Sequence, residues 1–173
     1  LHFVSVEGGV VGTPIILSSG DSNQYFDVSH AIVAAPGGGY VVAWCRGRQP
    51  STTGTALVAR AIAANGTLGS VHDIERPSTC LWGSKVSLAS DGTNFFLAAT
   101  AGEGVTYQTR VYRLGADGAA VAGPLALDDT QVVGGSALAG EPDGELVMLA
   151  RTTSGGPRML HLDPDPLALT SDD

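Results

Sequence analysis

Apolar and polar residues alternate along this chain in short runs, each cut off by a glycine-bearing turn. The clearest run is Val28-Ser29-His30-Ala31-Ile32-Val33-Ala34-Ala35-Pro36, followed by Gly37-Gly38-Gly39 and then Tyr40-Val41-Val42-Ala43-Trp44. Alternation of period two predicts strands, and the glycines between them predict a turn. No window of about ten residues keeps an apolar i, i+3, i+4, i+7 face without Gly or Pro interrupting it, so helix is disfavoured throughout.

The pattern returns. Ala56 to Ala63, the turn Ala64-Asn65-Gly66 and the run Thr67 to Ile74 complete a first unit. Asn-Gly between apolar runs predicts a hairpin of type I′, in which both central residues need positive φ. Gly83 to Ala89 then matches residues 28–35, Asp91-Gly92 matches the glycine turn, and Asn94 to Ala99 matches Tyr40 to Trp44. Tyr107 to Leu114, Asp117-Gly118 and Ala119 to Leu127 close the second unit. The third runs through Gly135 to Ala139, Pro142-Asp143-Gly144, Glu145 to Ala150, residues 157–162, the turn Asp163 to Pro166, and Leu167 to Leu169. Ahead of all three, Leu1 to Val6 and Val10 to Leu17 predict a hairpin about Glu7-Gly8-Gly9, and residues 18–27 a polar loop.

A period of about 50–56 residues with four short strands per unit predicts propeller blades rather than leucine-rich or helical repeats. The expected fold is all-β and propeller-like, a single repeat region over 1–173. It holds an outer half blade at 1–17 and four-stranded blades at 27–74, 83–127 and 134–170. Three blades fall short of the usual four to eight. The last pair of strands is itself an outer hairpin, so it cannot complete the half blade at the front. The expectation is part of a larger propeller, completed by further blades from the same parent chain or from another polypeptide.

The units resemble the loose blade repeats of bacterial secreted β-propeller proteins. The residues that carry the resemblance are Pro36 to Trp44, Asp91 to Ala99 and Pro142 to Ala150, with Asn65-Gly66 and Asp117-Gly118 as outer turns. Only the first unit keeps the Trp, and the Gly-His…Trp-Asp signature of WD40 repeats is absent. The resemblance implies an architecture that hosts lectins, enzymes and plain scaffolds alike, so it implies no activity.

Composition narrows the partners. A formal net charge of −8 argues against nucleic acid, whose phosphates need a basic face. No apolar run approaches the ~20 residues that a helical membrane span needs. Only one of nine basic residues is Lys, and Ala, Gly, Val and Arg are favoured, the bias of a GC-rich bacterial genome. The opening Leu1-His2-Phe3, with no Met and no basic leader, reads as a processed chain.

Blade topology puts Cys45, at the end of a second strand, on the same side as Cys80, in the loop that follows that blade. A Cys45–Cys80 disulfide is expected there and implies an extracellular or cell-envelope setting. The other reading is two unpaired small apolar side chains. The same side gathers Tyr25, Phe26, Trp82, Arg46, Arg48, Asp21 and Asp27, while His30 opens an innermost strand. Rings beside carboxylates and guanidinium groups suit a glycan or peptide, so Tyr25, Trp82, Arg46, Arg48, Asp27 and His30 are the candidate ligand residues. Tyr25 and Trp82 read equally as plugs between blades, and Trp44 is expected to pack between blades. The remaining histidines, His2, His72 and His161, show no metal spacing, and no calcium loop is present. Neither a nucleophile elbow nor a phosphate loop occurs, so no catalytic residue and no cofactor is expected. The function expected is a non-catalytic binding or structural module. Its alternative is part of a propeller hydrolase or lyase whose acids lie partly on other blades.

Overall fold

The computed structural model describes residues 3–4, 10–11, 13–18, 25–48, 55–76, 85–103, 106–127, 137–141, 144–151 and 156–172. A short antiparallel pair, β1 (Phe3–Val4) with β2 (Val10–Val11), comes first. Three four-stranded antiparallel sheets follow, each a meander in chain order. Sheet 1 holds β3 (Tyr25–Ala34), β4 (Tyr40–Arg48), β5 (Ala56–Ile62) and β6 (His72–Glu75). Sheet 2 holds β7 (Lys85–Ser90), β8 (Phe95–Glu103), β9 (Thr106–Leu114) and β10 (Ala120–Leu127). Sheet 3 holds β11 (Ala137–Gly140), β12 (Leu146–Arg151), β13 (Pro157–Pro164) and β14 (Leu167–Asp172). The fold is all-β, compatible with propeller blades; the described residues form no closed ring.

The sheets stack face to face, with their first strands β3, β7 and β11 lying against one another. Between sheets 1 and 2 lies a core of Val41, Ala43, Cys45, Leu57 and Ala59 against Phe95, Leu97, Ala99, Tyr112 and Leu114. Between sheets 2 and 3, Phe96, Ala98, Val111 and Leu127 meet Leu146, Met148, Ala150, Leu160 and Leu162. Because strand side chains alternate between faces, β8 serves both cores: Phe95, Leu97 and Ala99 face one way, Phe96 and Ala98 the other. That double burial explains its run of consecutive apolar residues.

Polar contacts pin the joints. Asp117, in the turn after β9, accepts a backbone hydrogen bond from Ala61 of β5 (3.2 Å), and its carboxylate lies 3.7 Å from His72. One joint later, Asp165 lies 3.1 Å from Arg113, and Pro164 accepts from the same guanidinium at 3.2 Å. Glu75 of β6 takes Arg110 on one carboxylate oxygen and the Tyr112 hydroxyl (2.8 Å) on the other. Gly118 allows the first of these approaches: a Cβ there would sit 3.1 Å from Arg60 backbone atoms, and its φ of 88° is left-handed.

Four details depart from expectation. The loop predicted over residues 18–27 ends earlier, because β3 starts at Tyr25; likewise β4 runs on to Arg48. Tyr25, Asp27, Arg46 and Arg48 are therefore strand residues. A bulge at Ser29 (φ 50°) breaks the alternation and hides this extension from a period-two reading. Residues 13–18 are not in a strand. Ile15 and Leu17 pack on sheet 1 while Ile16 is 74% exposed, so the segment alternates without pairing. The outer turns are not type I′. Only Gly66 (84°) and Gly118 (88°) have positive φ, and their N–H groups donate to Ala63 (2.8 Å) and Gly115 (2.9 Å), three residues back. Asn65 and Asp117 contribute side-chain oxygens that accept from Thr67 N (2.9 Å) and Ala119 N (3.0 Å). Finally, Trp44 does not pack between two of the sheets. It lies on the outward face of sheet 1 with Val42, Val58, Ile15 and Leu17.

Candidate binding face

The bulge at Ser29 builds the polar end of that outward face. In a regular strand, residues three apart point to opposite sides. With one extra residue inserted between them, Asp27, opposite Arg46, and His30, opposite Trp44, fall on the same side. Asp27 accepts from the Ser18 hydroxyl and lies 3.5 Å from Arg46 Nε. The Arg46 guanidinium in turn sits 5.4 Å from the centre of the Trp44 ring, within cation–π range. Residues 13–18 are tied down by Arg60, which donates to the Leu17 carbonyl and to Gly69.

Between this segment and β3 runs a groove of about 560 Å³. Its floor is apolar, from Pro14, Ile15, Ile32, Val42 and Trp44, and its rim is polar, from Ser18, Asp27 and His30. Ile16 and Ile32 stay exposed. Trp44 is only 4% exposed, yet its indole N–H has no acceptor among the described residues. Asp27 is the one carboxylate among the described lining residues.

Three of the six candidate ligand residues, Asp27, His30 and Arg46, come together around this face. Tyr25 and Arg48 are opposed in the β3–β4 ladder beyond Asp27 and Arg46, and their side chains are not described. Trp82 and Cys80 lie outside the described residues. Cys45 is buried between sheets 1 and 2, in the ladder position that Thr100 fills in sheet 2. There the Thr100 hydroxyl is satisfied by Thr109 at 2.8 Å. Among the described residues, no three His, Cys, Asp or Glu side chains gather as a metal site.

A second open face lies at the other end of the stack. The pairs Ala43–Ala59, Ala98–Val111 and Leu149–Met159 occupy the same ladder position in sheets 1, 2 and 3. The first four residues are 0% exposed, whereas Leu149 is 53% and Met159 43% exposed. Beside them, His161 contacts Glu145 within its own sheet. Sequence alone missed these residues, although the parity of β12 carries the signal: Leu146, Met148 and Ala150 face inward, which leaves Leu149 outward.

The chain matches no protein-family model, no curated protein and no solved structure.

Proposed function

We propose that this chain is a non-catalytic, propeller-type binding or structural module whose two end faces seat further blades. One observation carries the reading. Leu149 and Met159 stand open in ladder positions whose equivalents are fully buried at both internal joints. Exposed apolar area of this kind marks an interaction surface. The groove on sheet 1 supplies a matching apolar seat at the opposite end.

A glycan ligand is the second reading. It is favoured by the buried Trp44 indole N–H without an acceptor among the described residues, in a groove with a polar rim of Ser18, Asp27 and His30. A Cys45–Cys80 disulfide would place the module outside the cytoplasm, in an extracellular or cell-envelope setting.

If assembly covers the end faces, stability depends on protein concentration. The midpoint of thermal unfolding is expected to rise steadily over two decades of concentration. A constant midpoint in a monomer, together with selective binding on a glycan array, would favour the ligand reading instead.

A further inference from the structure

We infer that two copies of this chain join head to tail, the open face of sheet 3 on each covering the groove face of sheet 1 on the other. The inference rests on the reading above that the end faces seat further blades, and it names the occupant. Three sheets from each copy make a ring of six, within the usual four to eight blades, and a two-fold pair of such contacts leaves no end face open.

Side-chain size supports a copy of this chain as the partner. At the joint between sheets 1 and 2, the forward face presents small side chains, Ala43 and Ala59, to the larger Phe95, Leu97 and Tyr112. The open face of sheet 3 reverses this, carrying Leu149 and Met159 in those two positions. Such a face needs a recess, and the outward face of sheet 1 has one, with Ile32 and Val42 in its floor. Those two residues occupy the ladder positions of Leu88 and Leu97, which receive Ala43 and its neighbours at the internal joint.

Polar groups agree with the same placement. Arg151, opposite Pro157, stands where Cys45 and Thr100 stand in the other sheets. Cys45 packs in the cluster that includes Ala99, the residue equivalent to Trp44. Repeating that joint brings the exposed Arg151 to the Trp44 end of the groove, where the Asp27 side chain is still 31% exposed. His161 occupies the position of Ala61 and Arg113, the two residues that receive the outer turn of the next sheet. In a head-to-tail pair, that turn is the one bearing Asn65.

The test is solution mass by light scattering on the whole chain, with variants on both faces. The expected species has twice the 17.5 kDa of one chain and no larger form. Leu149→Glu with Met159→Glu should give monomers; both side chains are surface-exposed, and circular dichroism checks that the sheets persist. Asp27→Arg should weaken association about tenfold or more, and adding Arg151→Asp should recover most of the loss. Open, concentration-dependent ladders that the same variants disperse would overturn the closed pair while leaving the end faces as blade seats. A dimer indifferent to every face variant would overturn the pairing proposed here. A monomer with a concentration-independent unfolding midpoint would overturn both readings.

Discussion

At the scale of single residues, the turns carry the most legible chemistry. Asp91 shows how. Partial burial pushes its carboxyl up, but the N–H groups of Asn94 (2.6 Å) and Thr93 (2.7 Å), with the Asn94 amide, outweigh that and hold it below the usual carboxylate range. A lowered pKa in the folded state gives stability that is present above the unfolded value and lost as pH falls through the folded one. Asp91→Ala is therefore expected to lower unfolding free energy by ~1 kcal/mol at neutral pH. The gap between parent and variant should close as pH drops below about 4, read from denaturant titrations at each pH. A gap constant down to acid would mean that the charged form is not what these donors favour. The sequence marks Asp91-Gly92 because such a turn needs its own residues. It does not mark Ser29, where the left-handed backbone is imposed by the ladder on either side.

At the scale of elements, period-two patterning reveals strands but not which of their faces are covered. Tyr40-Val41-Val42-Ala43-Trp44 reads as a strand, and Val41 to Trp44 are buried on both of its faces. Yet which neighbour covers Trp44 depends on residues 13–18, whose alternation is that of a strand but whose partner is a sheet face. The Glu75–Arg110–Tyr112 contact was equally out of reach, because nothing local says that β6 meets β9. Joint burial gives a direct prediction. Phe96, 0% exposed between sheets 2 and 3, should lose about 3–5 kcal/mol on replacement by Ala. Leu149→Ala should have little effect on dilute, dissociated chains and a clear one at concentrations that favour assembly. Chemical denaturation at both concentrations separates the two cases. Equal small losses for Leu149→Ala at high and low concentration would argue that nothing covers its face.

At the scale of the whole molecule, the repeat makes three similar sheets and so makes comparison possible between equivalent positions. Two internal joints show what a covered face looks like, and the open face of sheet 3 carries the apolar Leu149 and Met159 in the same positions without a cover. The repeat and the all-β class were visible from glycine turns and alternation; the open ends became visible only once register fixed which residues are equivalent. The chain has two methionines, one on each kind of face. Met148 is fully buried between sheets 2 and 3, and Met159 is 43% exposed on the open face of sheet 3. Peroxide converts accessible methionine to the sulfoxide, and mass spectrometry reads each site separately. The measurement that bears most directly on the account is Met159 oxidation as a function of protein concentration, with Met148 as internal control. Met159 should be protected at high concentration and become reactive on dilution or in Leu149→Glu, while Met148 stays protected throughout. Rapid oxidation of Met159 at every concentration, with Met148 still protected, would contradict the claim that this face is a seat for another blade.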